Sequence, residues 1–284
     1  TKAVQKTFQQ MEGLNAIIVM MHGEDRFVAI RNGSPLVVGF GHGENFLASD
    51  PQALLSHTKQ VHYLEDNEMA IMGKNAIMLF DAITGDHKAP KKQTLNWTVA
   101  QAEKGKYPYF MLKEIHEQPG IMAEIASQAS THVERLAELI RKSYGTYMVG
   151  CGTASYACIA GSYLFAKIAK RHVNHAIGSE FGYHEDFITK KSLVLALSQS
   201  GETIDILEGV KKAKAKGATI AAITNVLGST LYREAHFKLL LGVGPEKGVA
   251  STKAFIGKLS YLTLLAYALA GNLASGKKVL LAAA

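Results

Sequence analysis

Residues 198–203 read SQSGET and stand between an apolar run, KSLVLAL, and a segment with helical spacing, IDILEGVKKAKAK. A buried strand giving way to a helix here would set three hydroxyls at a helix start, where unpaired N–H groups and the positive dipole end favour an anion. Hydroxyls supply donors that orient a phosphate, and Gly201 lets the backbone come close to it. Thr203 or Ser200 would equally serve as an ordinary helix cap, so the hexapeptide alone leaves both readings open. Two further loops carry the same chemistry: GCGTAS at 150–155 and GVASTKAF at 248–255. Three hydroxyl-rich loops on one sheet edge describe a site for a sugar phosphate. Neither GxxxxGK[ST] nor GxGxxG occurs, so nucleotide phosphates lack their usual cradle.

The elements that must position these loops follow from the hydrophobic pattern. Beyond Pro119, taken as a helix boundary, helical and strand segments alternate: AEIASQASTHVERLAELIRKS, GTYMVGCG, SYACIAGSYLFAKIAKR, HVNHAIGS, SLVLALS, the helix after SQSGET, ATIAAIT, HFKLLLGVG and STKAFIGKLSYLTLLAYALA. Strands separated by helices of this length predict an α/β domain with a parallel sheet and helices on both faces, and ligands in such sheets bind beyond the carboxyl ends of the strands. The first third differs. From residue 15, short apolar segments alternate with glycine-containing or charged turns, a meander of antiparallel strands with a helical turn expected at 54–58. Residues 82–109 hold neither period for long and read as a linker. The expected division is 1–88, linker 89–118, and 119–284.

Composition narrows the class. The chain has 284 residues, 48% hydrophobic and 19% charged, with a formal charge of +7, which suits a globular protein with an anionic ligand. The lysines are scattered, as in KKAKAKG, without the dense basic and aromatic interleaving of a nucleic-acid surface. Neither nucleic acid nor a membrane is an expected partner, and the expected location is cytoplasmic, with reduced thiols. Cys151 and Cys158 fit neither a CxxC pair nor a disulfide framework, and the eleven histidines, His172 and His184 among them, form no HxH or HExxH pair. No metal and no cofactor are expected.

The combination CGTAS, LSQSGETID and EKGVASTKAF, preceded by MLKEIHEQP, closely resembles the first sugar-isomerase (SIS) domain of the glutamine:fructose-6-phosphate amidotransferase family. RNGSPLVVGFGHGENFLASD resembles the later half of that family's class II glutaminase domain. The resemblance runs from about residue 1 to about residue 275, and the tail KKVLLAAA lies outside it. It implies a flavodoxin-like SIS fold preceded by the mainly antiparallel β part of an Ntn-type glutaminase domain. The implied activity takes ammonia from glutamine, passes it to fructose 6-phosphate and yields glucosamine 6-phosphate, with fructose 6-phosphate, glucosamine 6-phosphate and glutamine as ligands. Carried over by position, the sugar-phosphate contacts are Thr153, Ser198, Gln199, Ser200 and Thr203, with Val249 and Ser251 near the sugar. The family often has Ser where this chain has Ala154, and Ser155 lies beside it. Cys151, Gly152 and Gly201 fall near the site, Cys151 as a loop residue or a strand-end filler rather than a nucleophile.

Departures from the family limit the catalytic expectation. The family's N-terminal cysteine nucleophile and its oxyanion loop are not found in this sequence, and Thr1 is set aside as a nucleophile because TKAVQKTFQQMEG reads as an amphipathic helix. The family's second SIS domain supplies the proton-transfer glutamate. No catalytic residue is therefore expected here, and the chain reads as a piece that binds without turnover. Of the nearby carboxylates, Glu202 is explained by the dipole of the helix it begins, and Glu246 has no assigned role. The alternative is a stand-alone sugar-phosphate-binding SIS module, regulatory or sensory. The glutaminase-like strands argue against it. A homodimer is expected, because SIS domains commonly pair and the helix LSYLTLLAYALAG holds more apolar surface than one face needs.

Overall fold

The structure, a computed structural model, describes residues 1–128 and 130–284. The chain forms two compact units, Thr1–Ala102 and Glu103–Ala284.

In the first unit, helix α1 (Lys2–Phe8) precedes strands β1 (Asn15–Met20), β2 (Arg26–Asn32), β3 (Val37–Phe40), β4 (Asn45–Ala48), β5 (Gln60–Tyr63), β6 (Glu68–Gly73), β7 (Ile77–Asp81), β8 (His87–Lys88) and β9 (Gln93–Thr94), then α2 (Val99–Ala102). They form two antiparallel sheets, β1-β2-β6-β7-β8 and β4-β3-β5-β9. The period of two decides which side chain goes where. Val28 and Ile30 of β2 join Phe8 and Met69, whereas the intervening Ala29 joins Val38, Leu64, Ala70 and Met72. The expected helical turn lies earlier, as a 3₁₀ turn at Pro51–Leu54, because the Asp50 carboxylate accepts the Gln52 N–H and Pro51 needs no partner at the first position. β8, β9 and α2 lie within 82–109, where two-residue strands are too short to show a period.

The second unit contains α3 (Phe110–Gln128), α4 (Ser130–Lys142), β10 (Thr146–Gly150), α5 (Thr153–Ala169), β11 (Asn174–Ile177), β12 (Leu193–Ser198), α6 (Ile204–Ala215), β13 (Thr219–Thr224), α7 (Thr230–Glu234), β14 (Phe237–Leu240), α8 (Lys253–Leu269) and α9 (Leu273–Ala283). Its sheet is parallel, in the order β11-β10-β12-β13-β14. Successive residues face opposite cores: Leu193, Leu195 and Leu197 pack with α3, α4, α5, α8 and α9, while Val194 and Ala196 pack with α6 and α7. Both faces are covered, which is why these strands read as continuous apolar runs.

Two expectations about helices change. Pro119 lies inside α3 instead of bounding it. The ring removes one N–H and leaves the Ile115 carbonyl without its helical donor, and Ile115 is solvent-exposed, so water can replace the bond. Helix α8 does not offer a spare apolar face. Leu262, Leu264, Leu265 and Ala266 are all buried within the chain, because α8 packs against α3, α4, α5 and α9. Its apolar surface therefore gives no argument for a dimer. The tail KKVLLAAA forms the end of α9. Among the described residues no helix is long and apolar enough to cross a membrane.

Candidate functional site

Strand order creates the site. From β10 the chain moves to β11 on one side, then returns past β10 to β12 on the other. The helices leaving β10 and β12 consequently go to opposite faces: α5 packs through Ala157 and Cys158 into one core, and α6 through Ile206 and Val210 into the other. Loops that diverge in this way open a crevice at the carboxyl ends of the strands. A cleft of about 140 Å³ lies there, lined by Cys151, Thr153, Ala154, Leu197, Ser198, Gln199, Ser200, Thr203, Ile206 and Lys258. Whole drug-sized ligands usually fill ~300 Å³ or more, so this volume suits a small anion with the remainder of its molecule outside.

Within SQSGET the hydroxyls divide their work. The Gly201 N–H donates to Ser198 Oγ at 2.9 Å, and Ser198 Oγ and Thr203 Oγ1 share a hydrogen bond of 3.0 Å. Ser198 is buried and so holds the turn closed. The Glu202 N–H donates to Ser200 Oγ at 3.2 Å. A hydroxyl that accepts from the backbone keeps its own proton to give, which leaves Ser200, and Thr203 when Ser198 donates to it, as donors into the cleft. Thr203 is the N-cap of α6 by position, but its side chain makes no cap bond to the helix. Gly201 has φ +70°, and a Cβ there would lie 2.1 Å from Ser229 Oγ, so position 201 admits no side chain.

The β10 loop is arranged similarly. Gly152 takes φ +55° and precedes Thr153, the first residue of α5. Thr153 lines the cleft, whereas Ser155 does not: its Oγ donates to the Gly152 carbonyl at 2.7 Å. Cys151 also lines the cleft. Burial raises its thiol pKa, and the Asp205 carboxylate adds to that against the hydrogen bonds from the Gly178 and Ser179 backbone, so it stays a neutral thiol.

The third loop follows edge strand β14. Val249 is fully exposed and Ser251 Oγ is buried without a partner, and neither lines the cleft. Two carboxylates hold this loop. Glu114 accepts from the N–H groups of Lys247 (2.6 Å) and Gly248 (3.1 Å), and Glu246 accepts from Thr252 (2.9 Å) and Ala254 (3.0 Å) at the start of α8. The Lys253 ammonium donates to Glu117 at 2.7 Å. The stretch MLKEIHEQP is thereby explained: its two glutamates, one helical turn apart on α3, fasten the loop before α8. Glu202 behaves differently from expectation. Its carboxylate accepts from the Thr230 N–H and Oγ1, both at 2.8 Å, and so serves the start of α7 instead of its own helix.

Lys258 escaped the sequence reading. It sits on the second turn of α8 inside an apolar segment and is 1% exposed, yet it lines the cleft. Burial lowers its pKa to about 8. Of the histidines considered, His172 is exposed and His184 packs with its ring tilted against Tyr147 and Phe181.

Residues 139–268 match the family described as the SIS domain. This part of the chain has the SIS fold. The similarity extends well beyond it. The glutamine–fructose-6-phosphate aminotransferase [isomerizing] of Thermus thermophilus is 39% identical over 270 residues, which is 93% of this chain and 44% of the relative. The enzyme of the same name from Clostridium tetani is 41% identical over 276 residues, 93% of this chain and 45% of the relative. The chain thus spans less than half the length of these curated relatives. Among solved structures, the C-terminal domain of glucosamine-fructose-6-phosphate aminotransferase from Francisella tularensis superposes with a TM-score of 0.55 at 32% identity, covering 64% of this chain and 53% of that one. The SIS domain supplies the parallel sheet and the cleft at its switch point.

Proposed function

We propose that this chain is part of an isomerizing glutamine:fructose-6-phosphate aminotransferase, a cytoplasmic enzyme of amino-sugar synthesis, and that its SIS cleft grips the phosphate of fructose 6-phosphate and glucosamine 6-phosphate. The observation that carries this reading is the set of hydroxyls at the switch point, with Thr153, Ser200 and Thr203 directed to one small cleft. Gln199 lines it beside them, and Ser198 and Gly201 hold the turn. Val249 and Ser251 belong to this reading as contacts to the sugar beyond the phosphate. Residues 1–88 are the later part of a glutaminase domain, 89–118 a linker and 119–284 the first SIS domain, and the contact boundary after Ala102 falls inside that linker. A stand-alone sensor module is less well supported, since the similarity to aminotransferases continues through the antiparallel unit. Pairing of two copies is also part of the proposal. Tyr156 and Tyr163, exposed two turns apart on α5, are a face on which it could occur, and light scattering tests it.

Calorimetric titration of the chain with fructose 6-phosphate and glucosamine 6-phosphate tests the binding claim. The expected wild-type affinity is micromolar to millimolar, and Ser200→Ala and Thr203→Ala should each lose on the order of 1 to 3 kcal/mol. A folded wild-type chain that shows neither heat nor thermal protection with either ligand would sink the proposal.

A further inference from the structure

Lys258 is buried where a leucine or methionine would fill the same space without a charge. It is 1% exposed and lines the cleft, and among the described residues it makes no hydrogen bond or ion pair. The other side chains lining the cleft, Cys151, Thr153, Ser198, Gln199, Ser200 and Thr203 among them, are neutral. A phosphate monoester held there would meet hydroxyls and backbone dipoles but no full positive charge unless Lys258 supplied it. The carboxylate that acts on Lys258 through space is Glu246, and one of its oxygens is already engaged by the N–H groups of Thr252 and Ala254. The other neighbour is Cys158 of α5, whose thiol burial pushes up to about 12 and therefore keeps neutral. Cys151 and Asp205 face one another across the cleft wall from the β10 loop and α6, the first as a neutral thiol.

We propose that the ammonium of Lys258, which lines the cleft from α8, is the counter-charge for the ligand's phosphate, so that the site selects a phosphate monoester dianion over a neutral sugar. This rests on the sugar-phosphate reading of the same cleft and assigns its charged contact to a residue outside the hydroxyl loops. Binding is then linked to protonation. In the empty cleft the lysine titrates at about 8; a bound dianion favours its charged form, so the complex takes up a proton at and above that pH. The ligand does not contribute to such a break, because its second ionisation lies near pH ~6.

The test is calorimetry on the 284-residue chain with fructose 6-phosphate, inorganic phosphate and unphosphorylated fructose, from pH 7 to 9.5, in buffers of different ionisation enthalpy. In the wild type, affinity for both phosphates should fall towards ~10-fold per pH unit above the break near pH 8, with uptake approaching one proton. Lys258→Met should bind both phosphates ~10- to 100-fold more weakly at pH 7 and lose the break. Lys258→Arg should retain phosphate binding but show no break, since a guanidinium stays charged throughout. A merely space-filling lysine predicts the opposite: Lys258→Met binds within about twofold of the wild type, and the pH profile is unchanged. That outcome overturns the inference and leaves the sugar-phosphate reading standing. Wild-type proton uptake requires no variant, so its absence in a chain that binds fructose 6-phosphate also overturns the inference, even if a variant misfolds. A wild type that binds neither phosphate removes both readings together.

Discussion

At the scale of single residues, the site depends on geometry that only a few side chains permit. Gly201 is an example. Its φ of +70° and the 2.1 Å that would separate an added Cβ from Ser229 Oγ make two independent demands. Gly201→Ala should destabilise the chain by ~2–4 kcal/mol, combining left-handed backbone strain with a forced shift of a buried neighbour. Chemical denaturation measures it, and a loss under ~0.5 kcal/mol would mean that the turn is not held as described. Ser198 illustrates a double duty: it lines the cleft, and its oxygen also accepts the Gly201 N–H, so one hydroxyl faces the site and holds the loop.

At the scale of elements, α3 and the loop before α8 depend on one another. Glu114 is buried, and its carboxylate takes the N–H groups of Lys247 and Gly248. Replacing it by alanine leaves two backbone donors without their acceptor. Glu114→Ala should cost ~2–3 kcal/mol and raise amide exchange at 247–254 while leaving exchange in β12 near its wild-type rate. Unchanged exchange across 247–254 would count against this role for α3. The crossing of the chain from β11 to β12 is the other element-level fact, since it sends α5 and α6 to opposite faces and opens the crevice between them.

At the scale of the whole molecule, each unit carries a buried ionisable group that shapes its pH response. In the first unit, His62 Nε2 and Glu68 Oε2 lie 2.9 Å apart, both buried, and the Lys91 N–H donates to His62 Nδ1. Burial alone would raise the Glu68 carboxyl, but hydrogen bonds from His62 and the Glu65 N–H outweigh it, so its pKa is lowered. A lowered carboxyl pKa stabilises above the unfolded value and is lost as pH falls through the folded one. In the second unit the Lys258 pKa is lowered from 10.5 to about 8. Between those values the unfolded chain binds more protons, so stability rises with pH. Thermal melts should therefore show the first unit losing stability below pH ~4, more weakly in Glu68→Gln, and the second gaining stability from pH ~8 to ~10, a gain absent in Lys258→Met. A flat profile in either window would contradict the assigned group.

The sequence by itself determined the features that depend on near neighbours. Continuous apolar runs in SLVLALS and ATIAAIT placed parallel strands, spacing placed the helices between them, and hydroxyls with glycine at the strand ends marked the loops at 150–155 and 198–203. A strand end and the helix after it are contiguous in sequence, so their chemistry can be read locally. Tertiary structure decided what contiguous residues cannot express. Pro119 sits inside a helix where Ile115, the residue whose carbonyl loses its helical donor, is exposed to solvent. The apolar stretch of α8 is consumed by four other helices, Glu202 serves α7 through Thr230, and Ser155 spends its proton on Gly152. Lys258 shows the limit most directly: its neighbours in sequence are those of a buried helix, and only the packing of α8 against α5 brings a charge to a cleft built from uncharged loops.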